Sequence, residues 1–330
     1  MNTKQLSYVI AIAEQGNLSA AAEVLNVSQP ALSKYLAELE EDLGTELFLR
    51  HKKKLYPTAA GKIYLEAARK IISVKARTYQ MIASLSGENQ KTITIGVTPL
   101  RGAISIAKIF PLFRQRYPNV NIAFKEQYAA GLRESVINHS VDMALSTCIE
   151  LEDPDIQHIV AFQEDLILFV PSFHPLAPLA SRDLHHLTPI DIRRFIDTPF
   201  LTGGMQSTIR KLSDLIFQQN QMQPTIVYEA DNNLILKNMV QNGAGVCLLP
   251  RSHAEPSDRV VYFSLTPNYH TNLTVMISKD HILSEEERYL IALNFGSQFG
   301  NPNYWYNPTP LAEKILEEFH ISDASRPIFY

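Results

Sequence analysis

The stretch from Ser19 to Arg50 constrains the fold of this chain more than any other, because its residues specify two short helices joined by a tight turn. Ser19 is predicted to cap the first helix, and the small apolar residues after it favour close packing. Ser28 is predicted to cap the second helix, with a proline in its first turn. Leucines at helical spacing predict one buried face of that helix, which ends at a glycine: Leu32, Leu36, Leu39, Leu43 and then Gly44.

The exposed face of the second helix carries polar residues near its N-terminus, the end that a recognition helix places in the major groove of DNA. These residues are Gln29, Ser33 and Lys34. A basic run follows, immediately after an expected apolar anchor of Leu47, Phe48 and Leu49. Taken alone, such a run is usually a solvated loop. Its position directly behind a helix-turn-helix favours a wing along the phosphates instead.

The first 90 or so residues resemble the LysR-type transcriptional regulators, which are bacterial winged helix-turn-helix proteins. The residues that carry the resemblance are Ala21, Ala22, Leu25, Val27, Ser28, Gln29, Pro30, Ala31, Leu32, Ser33, Leu36, Leu39, Glu40, Leu43, Gly44, Leu47, Phe48, Arg50, Thr58 and Gly61. The resemblance implies that DNA is bound by Ser28, Gln29, Pro30, Ser33, Lys34, Arg50, Lys52, Lys53 and Lys54. Gln29, Pro30, Ser33 and Lys34 would contact bases, and the last four residues would lie on phosphates.

Composition and charge agree with a DNA-binding N-terminal part on an otherwise ordinary protein. The chain has 330 residues, enough for two or three domains, and a net charge of -4. Residues 1–91 hold 12 Lys and Arg against 9 Asp and Glu, so 12 - 9 = +3, which leaves -7 for the remainder. No apolar run reaches membrane-spanning length, no signal peptide is evident, and two cysteines suit a reducing compartment, so we expect a cytoplasmic bacterial protein.

Two further helices are predicted around this domain. Residues 3–15 form a supporting helix, and Thr58 caps a long helix that runs to about Leu85. The apolar residues of the long helix either pack on their own chain or, as the resemblance implies, pair with a second subunit: Ile63, Tyr64, Ala67, Ile71, Val74, Ala76, Ile82 and Leu85. Residues 86–90 are predicted to be a hinge.

From Thr92 onward, strands alternate with helices, which predicts α/β units with parallel sheets. This part resembles the effector domain of the same family, a two-lobed fold similar to periplasmic binding proteins. The predicted domains are a winged helix-turn-helix at 1–57, a linker helix and hinge at 58–90, an effector domain at 91–300 and an extension at 301–330. Lobe I takes residues 91–162 and 268–300, and lobe II takes 163–267.

Two features depart from the family pattern. His139 stands where the family commonly has glycine, so we expect Asn138 to close the preceding helix in a left-handed conformation. The extension after residue 300 is rich in aromatic residues and contains a predicted helix from Thr309, with Leu311, Ile315 and Phe319 on one face. We expect it to dock on its own domain, with an inter-subunit contact as the alternative.

Ligands of an open α/β fold bind at the carboxyl ends of the strands. The residues predicted there for an effector are Thr98, Pro99, Leu100, Arg101, Tyr128, Ala129, Ser146, Thr147, Thr202, Gly203, Gln206, Ser207 and Cys247. Because several of these positions open helices and Arg101 is near, we expect a small anionic effector. The alternative is that the hydroxyl residues merely cap helices.

Motifs of enzymes and metal sites are absent from the sequence. There is no HExxH, CxxC, Walker loop or GxSxG, and adjacent His185 and His186 lack further ligands, so we expect no catalysis, metal or cofactor. The sequence therefore predicts a LysR-type regulator controlled by a small molecule. Its expected partners are double-stranded DNA, the effector, RNA polymerase and further copies of itself as a homodimer or homotetramer, with no membrane. A cytoplasmic solute-binding or redox-sensing module is the alternative.

Overall fold

The computed structural model describes residues 3–52, 54–85, 91–99, 101–181 and 183–325. It divides into two compact units, an N-terminal unit that extends to Lys91 and a C-terminal unit that begins at Thr92. The helices and strands of the N-terminal unit are α1 (Thr3–Gln15), α2 (Leu18–Val24), α3 (Gln29–Leu43), β1 (Phe48–His51), β2 (Lys54–Pro57) and α4 (Ala59–Leu85). The predicted hinge at 86–90 lies outside the described residues.

The first helix of the helix-turn-helix, α2, begins at Leu18 and is capped by Asn17. The Asn17 side-chain oxygen accepts the Ala20 N–H at 2.8 Å, so one unpaired donor of the first turn is satisfied. The prediction that Ser19 is the cap is wrong. Asn and Ser cap equally well, and the cap moves two residues upstream because Leu18 enters the helix and is buried in the core.

The second helix, α3, begins as its sequence predicts. The Ser28 hydroxyl accepts the Ala31 N–H at 3.4 Å, and Gly44 ends the helix with φ of 64°. The predicted apolar face is buried only in its first half, since Leu32 and Leu36 lie in the core while Leu43 is 45% exposed. The last turn of the helix therefore extends beyond the small core.

The wing is a hairpin of β1 and β2, in which Arg50 pairs with Leu55. Leu47 and Phe48 are buried, as expected, but Leu49 is 56% exposed, so the prediction that it anchors the wing is wrong. Side chains alternate across a strand, and with Phe48 facing inward Leu49 must face outward. The Glu40 carboxylate accepts the N–H groups of Leu47 and Phe48 at 2.6 and 3.1 Å and so ties the wing to α3.

The long helix α4 is capped by the Thr58 hydroxyl, which accepts the Gly61 N–H at 2.9 Å. Leu65 and Ala68 are buried against the N-terminal core. Most of the predicted apolar face lies open in the single chain, with the side chains of Ile63, Ile71, Val74 and Ile82 between 40% and 72% exposed. Apolar residues at this spacing along one helix form a stripe that needs a partner.

The C-terminal unit contains strands β3 (Thr92–Val97), β4 (Asn121–Glu126), β5 (Met143–Cys148), β6 (Ile156–Pro171), β7 (Thr188–Ile190), β8 (Phe200–Gly203), β9 (Ile226–Ala230), β10 (Val246–Pro250), β11 (Val260–Leu265), β12 (Tyr269–Ser278) and β13 (Tyr304–Tyr306). Its helices are α5 (Arg101–Arg116), α6 (Ala129–Ile137), α7 (Thr208–Gln219), α8 (Asn233–Gln241), α9 (Glu285–Gly296) and α10 (Pro310–Glu318). The strand order β4-β3-β5-β12-β6-β10-β8-β9 places the N-terminal strands at one end of the sheet and β8–β10 at the other.

The prediction of parallel strands holds at both ends of this sheet and fails in its middle. β3 pairs in parallel with β4 and β5, and β8 pairs in parallel with β9 and β10. Between them, β6 and β12 run antiparallel to each other and to their other neighbours. The sequence predicts a strand only over residues 165–170, the second part of β6, and predicts no strand at β7, β11 or β13.

Strand β6 serves both lobes of the C-terminal unit. Ile159 and Phe162 belong to the core of lobe I, formed with α5 and α9, whereas Leu166 and Leu168 belong to the core of lobe II, formed with α7. The strand passes from one core to the other at Gln163 and Glu164. This crossing point is called the hinge from here on, and it is distinct from the predicted hinge at residues 86–90.

Two further expectations concern helix ends and the extension. His139 itself adopts the left-handed conformation, with φ of 53°, and Asn138 instead accepts the Ser140 N–H at 3.0 Å, so the prediction for Asn138 is wrong. An Asx turn at Asn138 leaves the next residue to reverse the chain. The described part of the extension belongs to the C-terminal unit, where α10 buries Ala312, Ile315 and Leu316, while Leu311 and Phe319 are only partly buried.

None of the helices in the described residues has both the length and the apolar character that crossing a bilayer requires.

Gly61→Ala is expected to loosen the N-terminal unit. A Cβ at residue 61 would overlap the backbone oxygen of Leu47, so α4 and the wing must separate, at a cost of about 2 kcal/mol. Amide hydrogen exchange should accelerate across α1–α4 and stay unchanged in the C-terminal unit. Gly131→Ala in α6 is the control, because its Cβ would meet Gln127 at an ordinary 3.6 Å. Unchanged exchange in the Gly61 variant would contradict the packing described.

Candidate functional site

The exposed N-terminal end of α3 presents the residues predicted to read DNA. Gln29 and Pro30 are exposed, and Ser33 is half-buried on the same side. The Lys34 side chain is 78% exposed and lies 3.7 Å from Glu38, too loose an ion pair to hold it. Ser28 is exposed as well, but its hydroxyl already serves as the helix cap.

The wing presents its basic residues on an exposed hairpin beside this helix. Arg50 and Lys54 lie on the two strands, and Lys52 makes the turn with φ of 56°. All three side chains are exposed. Lys53 was also predicted here and lies outside the described residues. The surface of the N-terminal unit thus combines a helix end with polar side chains and an exposed cationic hairpin.

A cavity of about 110 Å³ lies between the two lobes of the C-terminal unit. Four helix N-termini converge on it, those of α5, α6, α7 and α8. The residues that line it are Thr98, Pro99, Arg101, Tyr128, Ala129, Thr147, Ser207, Thr208, Ile209, Asp231, Asn232, Asn233, Pro250, His253 and Thr271. Unpaired N–H groups and the positive ends of helix dipoles therefore face a common space.

The structure brings together many of the predicted effector residues but not all of them. Thr98, Pro99, Arg101, Tyr128, Ala129, Thr147 and Ser207 line the cavity. Ser146 lines two neighbouring cavities instead. Thr202 and Gly203 are buried within β8, and Gln206 is exposed outside the lining, so these three were misplaced because β8 ends later than predicted. Leu100 lies outside the described residues.

Cys247 was predicted at the cavity, and this is wrong. It is completely buried in β10, in a core cluster with Leu201 and Leu236. Burial raises its pKa. Cys148 at the end of β5 is half-buried, and burial raises its pKa to about 12. Both thiols therefore stay protonated near neutral pH, which makes them poor nucleophiles.

The sequence analysis missed the contribution of α8 to the cavity. Asp231, Asn232 and Asn233 precede or open this helix, and the Asn232 side chain caps it by accepting the Leu234 N–H at 2.8 Å. This is the arrangement that was recognised at Ser207, where a capping side chain follows a strand that runs toward the same edge. The capping pattern at Asn232 was the signal that could have found it.

Arg101 lines the cavity, where it was predicted, but its positive charge already has a partner within the protein. Its Nη1 lies 2.6 Å from the Glu164 Oε2 atom, and its Nη2 donates to the Ser252 hydroxyl at 2.9 Å. Glu164 is wholly buried and also accepts the Ser252 N–H at 2.7 Å. Burial opposes the charge of Arg101, but the neighbouring carboxylate keeps its pKa above the ordinary value. The cation is therefore already neutralised within the protein.

A second hydrogen bond joins the lobes at the cavity. The Thr208 hydroxyl, at the start of α7 in lobe II, donates to the Thr147 carbonyl at the end of β5 in lobe I, at 3.0 Å. Together with the bond from Arg101 to Ser252, it holds both walls of the cavity in place. A ligand that competes with either bond changes the relation between the lobes.

His253 lines the cavity as a neutral imidazole. Burial, followed by the positive charge of Arg101, lowers its pKa to about 4. Its Nδ1 atom is buried and has no hydrogen-bond partner among the described residues, while its Nε2 atom lies 3.5 Å from the Asn233 amide nitrogen.

A winged helix-turn-helix unit followed by a two-lobed α/β unit with a cavity between its lobes defines a ligand-responsive transcriptional regulator. Residues 3–62 match the model of the bacterial regulatory helix-turn-helix protein of the lysR family, and residues 86–293 match the LysR substrate binding domain. The chain belongs to the LysR family of transcriptional regulators.

Individual relatives agree with this assignment. The Hca operon transcriptional activator HcaR of Escherichia coli is 30% identical over 76% of this chain and 82% of its own length. A probable RuBisCO transcriptional regulator of Trichormus variabilis is 30% identical over 98% of this chain and 96% of its own length, so it matches most of the extension beyond residue 300. Full-length OxyR from Pseudomonas aeruginosa shares the fold, with a TM-score of 0.59, 21% identity, and coverage of 92% and 96% of the two chains.

His253→Gln is expected to flatten the acid dependence of stability. Between its ordinary pKa of 6.5 and about 4, the unfolded chain binds a proton at this imidazole and the folded chain does not. The free energy of unfolding therefore falls as the pH drops from 7 to 5, by about 2 kcal/mol from this residue. Urea unfolding followed by the fluorescence of the single tryptophan, Trp305, measures it. The exposed His185→Gln is the control, and equal pH dependence in both variants would refute the assignment.

Proposed function

We propose that this regulator binds operator DNA through the α3 end and the wing. Gln29, Ser33 and Lys34 lie where a recognition helix reaches base edges, with Ser28 and Pro30 shaping the helix start. Glutamine can bond adenine, and lysine can bond guanine or phosphate. The observation that supports base reading is that Gln29 and Lys34 are exposed. Among the described residues neither has a fixed partner that DNA must displace, apart from the loose contact of Lys34 with Glu38.

The wing residues Arg50, Lys52, Lys53 and Lys54 are proposed to contact phosphates. Phosphate contacts carry affinity and its salt dependence, whereas base contacts carry specificity. The positive excess of residues 1–91 beside a strongly negative remainder supports this division, because only one end of the chain attracts a polyanion.

The proposed effector is a small anion that binds in the cavity between the lobes. The observation that carries this is the convergence of four helix N-termini on one space. Because Arg101 is paired with Glu164, the anion would be held by backbone N–H groups, the hydroxyls of Thr98 and Ser207, and helix dipoles. Asp231 also lines the cavity, so a ligand that carries a hydroxyl or amino group beside its anionic group fits best.

The exposed apolar stripe of α4 supports a homodimer, in which the stripe packs on that of a second copy, and two reading heads suit two DNA half-sites. On family grounds, we also propose that dimers associate in pairs and that the protein contacts RNA polymerase. On the same grounds, we propose that it is cytoplasmic and catalyses no reaction. A redox-sensing function is disfavoured, since burial raises the pKa of both thiols.

Gln29→Ala and Lys54→Ala are expected to differ in their effect on DNA binding. The first should weaken binding to the DNA upstream of the coding region about tenfold while barely changing binding to scrambled DNA. The second should weaken both and reduce the slope of log affinity against log salt by about one. Fluorescence anisotropy over a salt series measures this. Lys314→Ala, which removes an exposed lysine of α10, is the control; identical effects of the first two variants on both DNAs would contradict the division of roles.

Small organic carboxylates are expected to bind the C-terminal unit, and their neutral amides are not. Calorimetric titration of such matched pairs tests the charge requirement directly. For a carboxylate that binds, Thr98→Val should raise Kd about fivefold, because it removes one hydroxyl from the cavity and keeps the shape of the side chain. If only neutral or cationic compounds bind, the anion proposal is wrong.

A further inference from the structure

The extension after residue 300 adds a short strand to the sheet at the hinge. β13 pairs antiparallel with β6 in the register Tyr304 to Glu164, Trp305 to Gln163 and Tyr306 to Phe162. These are the residues at which β6 passes from the core of lobe I to that of lobe II. The added strand therefore covers the part of β6 whose backbone must bend if the lobes move.

Side chains continue this contact into the middle of the unit. The Trp305 indole N–H donates to the Gln163 Oε1 atom at 2.7 Å, and the Asn307 amide donates to the same atom at 3.1 Å. Gln163 in turn donates to the Asn272 Oδ1 atom at 2.7 Å, and Asn272 donates to the Ile149 carbonyl at 3.0 Å. A continuous chain of hydrogen bonds thus runs from the extension, across β6 and β12, to the residues that follow Thr147 at the cavity.

The other side of β13 reaches the buried ion pair. Tyr304 lies beside Arg101 and Glu164, whose charges both act on its hydroxyl. Tyr304 and Arg101 also line one small cavity, and Arg101 lines the larger cavity between the lobes. Two sets of contacts therefore connect the extension to residues at or beside the cavity, one through Gln163 and Asn272 and one through Arg101.

The extension is anchored firmly in lobe I. The N–H groups of Asn307 and Thr309 donate to the carbonyls of Ala161 and Val160 at 2.9 and 2.8 Å. Helix α10 then buries Ile315 and Leu316 in the lobe I core. A segment fixed on one lobe that also binds the hinge limits how far the second lobe can rotate.

We propose that residues 304–307 are a strap across the hinge, which sets the orientation of the lobes and couples it to the cavity. Tyr304, Trp305 and Asn307 are positioning residues in this proposal. Gln163 is the point at which the strap holds β6. The proposal goes beyond effector binding, and neither its argument nor its test requires the effector to be an anion.

Hydrogen exchange of the full-length chain without ligand tests the strap. Trp305→Phe keeps an aromatic ring but loses the N–H donor to Gln163. Amides of β5 that pair with β12, at residues 145–148, should exchange about fivefold faster than in the wild type. This is the effect expected when one hydrogen bond is lost from the series that links Trp305 to Ile149. Exchange in α7 and α9 should not change. Faster exchange in β13 alone would show a purely local role and overturn the proposal.

Two further variants complete the test. Tyr306→Phe removes a hydroxyl from the same strand and keeps the ring on Phe162 and Phe299, so exchange in β5 should stay at the wild-type rate. Gln163→Met removes the amide at the centre of the hydrogen-bond chain and keeps the volume of the side chain. It should accelerate exchange of the same β5 amides even if Trp305→Phe fails to fold. Acceleration in the Tyr306 variant as well, or none in the Gln163 variant, would overturn the proposal.

Discussion

Glu164 holds a carboxylate without solvent contact at the hinge, and the geometry of the cavity depends on how that charge is satisfied. Its partners come from different parts of the unit, Arg101 from the first turn of α5 and Ser252 from the end of β10. Removing one partner of a buried ion pair typically costs about 3–5 kcal/mol, because the other charge stays buried. The lobes therefore have a strongly preferred arrangement, and any motion between them must carry these three residues along or find a new partner for the carboxylate.

Unpaired backbone N–H groups at the start of a helix also need hydrogen-bond partners, and the two units satisfy them differently. In the N-terminal unit, Asn17, Ser28 and Thr58 each accept an N–H of their own helix, so their side chains stabilise the fold and are occupied. In the proposed function, base reading is therefore carried out by neighbouring residues whose polar groups stay exposed. In the C-terminal unit, Ser207 and Asn232 cap their helices likewise, yet each cap satisfies only one of four free donors. Both helix starts line one shared cavity.

Features that depend on nearby residues could be predicted from the sequence, and features that depend on distant residues could not. The start of α3, the end of that helix at Gly44 and the cap at Thr58 depend on neighbours within a few residues, and the sequence predicted them. The neutralisation of Arg101 depends on a residue 63 positions away, and no local pattern marks it. The antiparallel course of β6 likewise follows from strand pairing across the sheet. Such pairings are set by the assembled core. The sequence therefore predicted helix starts at the cavity but not the pairing of Arg101 with Glu164.

The pairing of Arg101 with Glu164 changes which ligands the cavity can select. A free arginine would bind anions strongly and with little discrimination, whereas backbone N–H groups at fixed positions reward the right shape and the right number of acceptors. His253, whose pKa is lowered by burial and by the charge of Arg101, adds no positive charge to the cavity lining near neutral pH. Because the bonds from Arg101 to Ser252 and from Thr208 to Thr147 already span the lobes, a ligand shifts the equilibrium only by the difference in its contacts with the two lobe arrangements. The cavity is therefore built to respond to a small, well-fitting molecule through modest changes in contacts that both lobes share.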